Sequence, residues 1–317
     1  MPSGDPPMRD GLARSGILAV PSLASPGRGW ATAYVALAAL SVQGGAAVAV
    51  GLIADIGPLP TVWLRLGIGA LILAVLRPFW RSTVDRRGWR AALLLGIALA
   101  VMNASFYEGI ARIPLGVAVT LEFWGPLTLG VLGSRRALDV LWVALAAAGI
   151  FILAGGRLVT DDALGVMFAL TAGGCWALYI VAGARLGEAW PDGRGLGASM
   201  VVGGALLTVP ALVAGGSSLT RAGVLASGTA VAVFSSVIPY TLELAALRRI
   251  APSVFGVLMS LEPAIATAVG VVALGQGLQP EDPIAIAMVV AASVGASLRT
   301  RPGSVAAAAE EVPLAGA

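Results

Sequence analysis

The sequence predicts an all-α membrane protein with ten transmembrane helices, arranged as two inverted five-helix repeats. The first observation is composition: the 317-residue chain is 58% hydrophobic and 12% charged, whereas a soluble domain usually carries about 25% charged residues. The second is a series of ten apolar runs, each close to the length of a spanning helix. The third is a pattern of acidic residues and prolines that occurs in both halves. Runs this long are not typical of barrel strands, so we expect a helical bundle.

The predicted spans follow a polar N-terminal segment. Residues 1–29 are rich in Pro, Gly and Ser. We interpret them as a disordered tail rather than a signal peptide, because the first long apolar run begins only at Trp30. Residues 299–317 form a second short tail. The ten predicted spans are 30–53, 60–77, 90–110, 113–133, 138–155, 163–185, 195–214, 223–246, 252–274 and 280–298.

The distribution of arginine predicts the orientation of the spans. All 20 basic residues are Arg. Sixteen of them lie in the two tails and one set of alternate loops, three lie in the other set, and Arg65 lies inside the second span. Because cytoplasmic loops are enriched in Lys and Arg, we expect both termini in the cytoplasm. Arginines in short interhelical loops favour this topology signal over a nucleic-acid-binding surface.

The order of polar landmarks indicates an internal duplication. Glu108 and Glu243 are 135 residues apart, and Glu122 and Glu262 are 140 residues apart. A proline follows each member of the second pair. Each copy would contain five spans, an odd number, so the copies must have opposite orientations. Inverted repeats with interrupted helices are typical of secondary transporters. The predicted repeats are residues 30–155 and 163–298.

Missing residue types exclude several classes of protein. Without Lys there is no P-loop nucleotide site, so the chain is not itself an ATP-driven pump, and it cannot form a Schiff base. Without His and with Cys175 as its single cysteine, it lacks the usual zinc ligand sets. We therefore expect no enzyme, no cofactor and no metal site.

Two carboxylates are placed near the membrane midplane. From Ile113 to Glu122 a helix rises about 13.5 Å, and from Pro252 to Glu262 about 15 Å, close to half of a hydrocarbon core of about 30 Å. A charge at that depth costs at least about 2.5–3.5 kcal/mol. We expect Glu122 and Glu262 to face a central cavity, where they bind a cationic group or exchange protons. The alternative is that each is a hydrogen-bonded acid joining two helices.

Prolines within the spans predict helix breaks. The candidates are Gly125-Pro126, Pro239 and Pro263. A proline leaves an upstream carbonyl without its helical donor, and such carbonyls can coordinate a substrate ammonium or an ion. The alternative is a packing kink supported by neighbouring helices.

Further polar side chains inside the spans are candidates for binding. Arg65 could pair with a substrate carboxylate, or instead reach the outer interface or form a fixed salt bridge to an acid. Gln43 and Asn103 could hydrogen-bond to a substrate or join helices. By contrast, Glu108 and Glu243 lie near span ends, and we expect water to reach them.

Aromatic residues form the last group of candidates. Trp124 and Trp176 lie deep within their spans, and Tyr240 lies next to Pro239. Such rings could stack on a cation or line a pore, whereas aromatic residues near span ends are usually interface anchors.

A series of short motifs extends over roughly residues 30–298. They are Ser41-Val42-Gln43-Gly44-Gly45-Ala46, Leu64-Arg65-Leu66, Met102-Asn103, Phe106-Tyr107, Ile113-Pro114-Leu115-Gly116-Val117-Ala118-Val119, Leu121-Glu122-Phe123, Gly125-Pro126-Leu127, Ser134-Arg135-Arg136, Gly174-Cys175-Trp176-Ala177-Leu178-Tyr179, Pro239-Tyr240-Thr241-Leu242-Glu243 and Phe255-Gly256-Val257-Leu258-Met259-Ser260-Leu261-Glu262-Pro263. In these motifs the chain resembles the EamA family of the drug/metabolite transporter superfamily, and within it the bacterial threonine/homoserine exporters.

The resemblance implies a secondary transporter of the bacterial cytoplasmic (inner) membrane that exports threonine and homoserine by alternating access, driven by the proton gradient. A drug or other metabolite efflux carrier of the same fold is the alternative. The partners implied are a small amino acid, protons and the lipid bilayer; the sequence predicts no oligomeric state. A zwitterion needs an acceptor for its ammonium group, for which Glu122 and Glu262 are candidates. It also needs a donor for its carboxylate, for which Asn103, Gln43 and Arg65 are candidates.

Overall fold

All regular secondary structure in the described part of the chain is helical. The computed structural model describes residues 29–113, 115–132, 137–153, 161–274 and 279–298. The predicted tails, 1–29 and 299–317, lie outside these ranges except for Gly29. The helices are α1 (Gly29–Ile56), α2 (Pro58–Leu76), α3 (Arg86–Ile110), α4 (Leu115–Glu122), α5 (Trp124–Leu132), α6 (Ala137–Leu153), α7 (Ala163–Ala189), α8 (Gly195–Gly215), α9 (Ala222–Ala232), α10 (Ile238–Leu247), α11 (Pro252–Leu258), α12 (Leu261–Leu274) and α13 (Asp282–Leu298).

Each predicted span coincides, within a few residues, with one of these helices or with a consecutive pair. Within the described ranges, five helical segments are long and apolar enough to cross a membrane, and α1 is a sixth if its two parts, bent by 44°, form one span. The other apolar helices are shorter, at 10–17 residues. The chain is therefore an all-helical, multi-pass membrane protein. The count of ten spans and the inverted repeats stay predictions.

The fourth and ninth predicted spans are each divided into two short helices. α4 ends at Glu122 and α5 begins at Trp124, so that only Phe123 separates them. Pro126 lies in the first turn of α5, and Pro263 lies in the first turn of α12. A proline is tolerated there because the first amide groups of a helix have no helical acceptor. Both carboxylates predicted at the midplane, Glu122 and Glu262, thus lie beside an interruption of the helix.

Glycines allow the divided helices to pack backbone against backbone. A Cβ on Gly125 of α5 would collide with the carbonyl oxygen of Gly173 in α7. A Cβ on Gly256 of α11 would collide with the carbonyl oxygen of Pro126 in α5. Small residues permit such close approach, which is how helices associate without a hydrophobic driving force in lipid. The interruptions of the two spans therefore lie close together within the bundle.

Four of the helices, α2, α3, α7 and α8, form the core of the bundle. The most extensive packing joins α3 with α7, α2 with α8, α6 with α13 and α1 with α10. Side chains such as Leu66, Leu95, Leu99 and Ile180 are fully buried between them. The core therefore runs along α2, α3, α7 and α8.

A cluster around Trp190 joins the end of the bundle where α3 begins and α7 ends. The Trp190 side chain is fully buried, and its Nε1 donates to the carbonyl oxygen of Gly88 at 3.0 Å. Its ring packs edge-on against Trp89 with centroids 5.2 Å apart. Arg248, which follows α10, donates from Nη2 to the Trp190 carbonyl oxygen at 2.6 Å. Three helix ends are thereby connected.

Asp192 adds a charged contact to the same end, outside the membrane-spanning helices. Ser82 donates to its carboxylate at 2.5 Å, and the Arg194 backbone amide donates at 3.1 Å. Slight burial works to raise the pKa of Asp192, but these hydrogen bonds and the charges of Arg194 and Arg248 lower it below its ordinary value. The carboxylate therefore stays ionised at neutral pH.

We expect Gly96→Ala to destabilise the bundle, because a Cβ at this position of α3 would lie 2.6 Å from Cβ of Val202 and collide with the Ser199 carbonyl oxygen. Overpacking of this kind costs about 1–3 kcal/mol. Gly67→Ala is the matched control, since a Cβ on Gly67 would meet nothing within 4 Å. It should be neutral or stabilise the helix by about 0.5–1 kcal/mol. Thermal unfolding in detergent, followed by circular dichroism, would contradict this packing if the two variants melted alike.

Candidate functional site

A cavity of about 230 Å³ lies within the bundle. Its apolar lining comes mainly from the C-terminal halves of α1 and α3, including Val50, Ile53 and Ile110. Its polar lining comes from six segments that are far apart in the sequence. The polar lining residues are Arg65, Asn103, Tyr107, Glu122, Tyr179, Ser235, Tyr240, Glu243 and Glu262. Acidic, basic and hydroxyl groups therefore meet in one space inside an otherwise apolar bundle.

Arg65 is the cation of this cavity and is only 8% exposed. Its Nε donates to Ser236 Oγ at 2.6 Å, and its Nη1 donates to the Tyr107 hydroxyl at 3.2 Å. Its Nη2 donates to the Tyr240 hydroxyl at 3.0 Å and to the carbonyl oxygen of Ser235. A guanidinium has five N–H donors, so one donor, on Nη1, remains for the cavity.

Pro239 explains why the Ser235 carbonyl is available to Arg65. In a regular helix the amide four residues later would donate to that carbonyl, but a proline there has no N–H. The chain is a π-helix over Val233–Val237, immediately before Pro239, as is common at functional sites. The guanidinium supplies the missing donor and thereby links α2 to the start of α10.

The contacts of Arg65 differ from both alternatives weighed for it within the protein. Its side chain is buried among protein groups rather than exposed at the surface. It also forms no fixed salt bridge, because no carboxylate of the described residues lies within 4.0 Å of its guanidinium nitrogens. Its partners are neutral oxygens instead. Its positive charge is therefore not cancelled by a direct ion pair.

Glu243 contradicts the expectation that water reaches it near a span end. It is 5% exposed, lines the cavity and accepts a hydrogen bond from the Tyr179 hydroxyl at 2.6 Å. The rings of Tyr179 and Tyr240 are 5.6 Å apart. Glu108, by contrast, lies near the end of α3 with 25% of its side chain exposed, 3.8 Å from Arg112.

Glu122 and Glu262 both line the cavity. Glu122 is 8% exposed and Glu262 is partly buried. Neither carboxylate has a hydrogen bond or an ion pair within the described part of the chain. They are close enough to interact electrostatically with each other and with Arg65. Because a bare charge inside a membrane costs at least about 2.5–3.5 kcal/mol, such groups need a proton or a cation from outside the protein.

Asn103 and Tyr240 form the neutral side of the site. Asn103 Nδ2 donates to the Leu99 carbonyl oxygen at 2.8 Å and to the Tyr240 hydroxyl at 3.0 Å. Both Asn103 donors are thus used within the protein. Trp176 lines the cavity nearby and packs edge-on against Phe123, with centroids 4.8 Å apart. These residues shape the cavity more than they offer donors to a ligand.

Two of the sequence-predicted residues lie apart from the cavity lining. Trp124 is 43% exposed, and its Nε1 donates to the Leu170 carbonyl oxygen at 3.0 Å. Gln43 lies on α1 between Val42 and Ala46, which do line the cavity, but its own side chain does not. The structure therefore brings together Glu122, Glu262, Asn103, Arg65, Trp176 and Tyr240.

The site also contains residues that sequence reasoning did not select: Tyr107, Tyr179, Ser235, Ser236 and Glu243. One signal could have identified the two serines. Ser235 and Ser236 lie four and three residues before Pro239, the proline of the eighth predicted span. The positions of the tyrosines in the packed bundle are not visible in the sequence.

We expect Arg65→Lys to lower the unfolding free energy by about 1.5–3 kcal/mol, the value of a hydrogen bond to a charged group. An ammonium group is a compact point charge and cannot replace the planar fork that reaches acceptors on three elements. The control is Arg221→Lys. Arg221 is half exposed and 2.8 Å from Asp55, and such surface pairs contribute about 0–1 kcal/mol. Denaturation in detergent would measure both, and equal losses would contradict the scaffolding role of Arg65.

Comparisons with known proteins identify the family of this chain. Residues 163–298 match the EamA-like transporter family. The threonine/homoserine exporter RhtA of Escherichia coli K12 is 40% identical over 278 residues, or 86% of this chain and 93% of the exporter. RhtA of Salmonella typhimurium LT2 is 39% identical over 277 residues, with the same coverage. A protein of known crystal structure, 19% identical, has a similar fold with a TM-score of 0.72 over 86% of this chain and 97% of its own. The chain therefore belongs to the EamA-like transporter family.

Proposed function

We propose that this protein exports threonine, homoserine and similar small amino acids through its central cavity. Two relatives, 40% and 39% identical over most of their length, are named threonine/homoserine exporters. The observation that carries the proposal is the arrangement of ionisable groups: a guanidinium with a spare donor and two carboxylates that have no partner among the described residues face one small cavity. A zwitterionic amino acid has the complementary pair of charges.

The carboxylate of the substrate would bind beside Arg65. The unused Nη1 donor of Arg65 lies next to the Tyr107 hydroxyl, 3.2 Å from Nη1. That hydroxyl accepts from Arg65, and its own hydrogen has no acceptor within the described ranges. Two donors on neighbouring groups suit the two oxygens of a carboxylate. The ammonium group would bind Glu122 or Glu262, which lie on the two divided spans.

The size of the cavity favours an amino acid over a drug-like substrate. Pockets that hold drug-sized ligands usually measure about 300–1,000 Å³, and this cavity measures about 230 Å³. Four ionisable groups also line this small cavity, three carboxyl groups and one guanidinium, which suits a zwitterion better than a lipophilic ligand. A drug efflux carrier of the same fold is therefore the weaker proposal.

The proposed architecture is ten spans in two inverted repeats, residues 30–155 and 163–298. The helix pairing supports it. If each span is exchanged for the one five spans away, the pairs α2–α8 and α6–α13 map onto themselves, and so does the contact between the fourth and ninth spans, which is made by α5 and α11. The pair α3–α7 maps onto α10–α1, which is also in contact. Such pseudo-symmetry is typical of transporters that alternate access around a fixed central site.

The proposed orientation has both termini in the cytoplasm, on the arginine-rich side. The cavity is lined by residues near the C-terminal ends of α1 and α3, which would then face outwards. The Trp190 cluster lies at the opposite end of α3 and would close the cytoplasmic side. This outward-facing state would be the one that releases substrate. The proposed energy source is the proton gradient.

We expect at least one of Glu122→Gln and Glu262→Gln to reduce threonine counterflow in proteoliposomes by about tenfold or more, because it removes the charged partner of the ammonium group, worth about 1.5–3 kcal/mol. Glu108→Gln is the control, since Glu108 lies outside the cavity lining beside Arg112. A pH gradient should accelerate wild-type transport. Wild-type rates and pH dependence in both cavity variants would show that these carboxylates are structural.

A further inference from the structure

The acidic and basic groups that line the cavity are unequal in number. Three carboxyl groups, those of Glu122, Glu243 and Glu262, share the cavity with one guanidinium, that of Arg65. A zwitterionic substrate brings one positive and one negative group, so its binding leaves this inequality unchanged. A substrate with a second positive group would reduce it.

The three carboxyl groups differ in their partners. Glu243 accepts a hydrogen bond from Tyr179 at 2.6 Å, which fixes it within the protein. Glu122 is more than nine-tenths buried, lines the cavity and has no hydrogen bond or ion pair to the described residues. Glu262 lines the same cavity and likewise lacks such a partner there. Two acceptors are therefore available to a ligand, although the α-ammonium group of an amino acid occupies only one.

We propose that the same site transports short diamino acids, whose side chain ends in a second ammonium group. The inference rests on the proposed export of amino acids through this cavity. The α-carboxylate binds Arg65 and Tyr107, and the two ammonium groups bind Glu122 and Glu262. A hydroxyl-bearing side chain donates one hydrogen bond to the second carboxylate, whereas an ammonium group donates one and also neutralises its charge.

The best probe is 2,4-diaminobutyrate, because it has the shape of homoserine with an ammonium group in place of the hydroxyl. Aspartate has a similar length with a negative side chain. Together the three compounds vary side-chain charge at nearly constant size. Any difference between them therefore reports the electrostatics of the cavity and not its volume.

The test is competition with labelled threonine counterflow in proteoliposomes that contain the full chain. We expect 2,4-diaminobutyrate to inhibit at a concentration equal to or below that of homoserine, and aspartate to need about tenfold more or higher, a difference of about 1.4 kcal/mol. Labelled 2,4-diaminobutyrate should itself undergo counterflow. An inhibitor that is not transported would overturn the proposal.

Variants locate the effect. In at least one of Glu122→Gln and Glu262→Gln, the half-inhibitory concentration of 2,4-diaminobutyrate divided by that of homoserine should rise by about tenfold. A uniform loss of activity would not change this ratio. In Glu108→Gln the ratio should stay unchanged. If both cavity variants keep the wild-type ratio, the cavity carboxylates do not bind the second ammonium group.

The two proposals fail in different ways. If the wild-type protein shows no threonine counterflow, the proposed function fails. If threonine is transported but 2,4-diaminobutyrate inhibits about tenfold less well than homoserine, only the inference on diamino acids fails. The wild-type measurement alone decides this second case, even if the glutamine variants do not fold.

Discussion

The hydrogen bond between the Arg65 guanidinium and the Ser235 carbonyl oxygen is the contact on which the central site depends. Inside a bilayer, an unpaired backbone carbonyl and an unsolvated guanidinium are each costly. Pro239 leaves the Ser235 carbonyl oxygen without its helical donor, and Arg65 places a guanidinium among apolar helices. The hydrogen bond between them satisfies both groups. Because the two residues are on different predicted repeats, the same contact holds those halves together at the cavity.

The remaining geometry follows from where helices are interrupted. Gly125 in the fourth predicted span and Gly256 in the ninth allow α5 to approach α7 and α11 through their backbones. This approach brings the last turn of α4 and the first turn of α12 to the same space, and each carries one glutamate. The carboxylates are thus placed by backbone packing rather than by hydrogen bonds of their own. Neither carboxylate has a hydrogen-bond partner in the described ranges, as this arrangement leads one to expect.

The sequence predicted the elements and part of the site, and the reasons for its failures are physical. Apolar runs and arginines located the helices within a few residues, because both signals depend on local composition. The estimate of depth in the membrane selected Glu122 and Glu262, and the structure places both in the lining of one cavity. We expected water to reach Glu243, because it lies only five residues before Arg248. Its burial depends instead on Tyr179 of α7, which covers it. Trp124 is directed away from the cavity, since the chain turns at Phe123 between α4 and α5.

The distribution of partners separates the groups that stay fixed from those that can change during a transport cycle. Arg65 is held by four protein acceptors and Glu243 by one donor, so neither needs a substrate to be stable. Glu122 and Glu262 have no such support from the residues that the structure describes, and a carboxyl group in an apolar space is stable only as the neutral acid or beside a cation. A proton and an ammonium group therefore compete for the same two places. In the proposed exporter, exchanging one for the other across the membrane couples the proton gradient to amino-acid export without any further site.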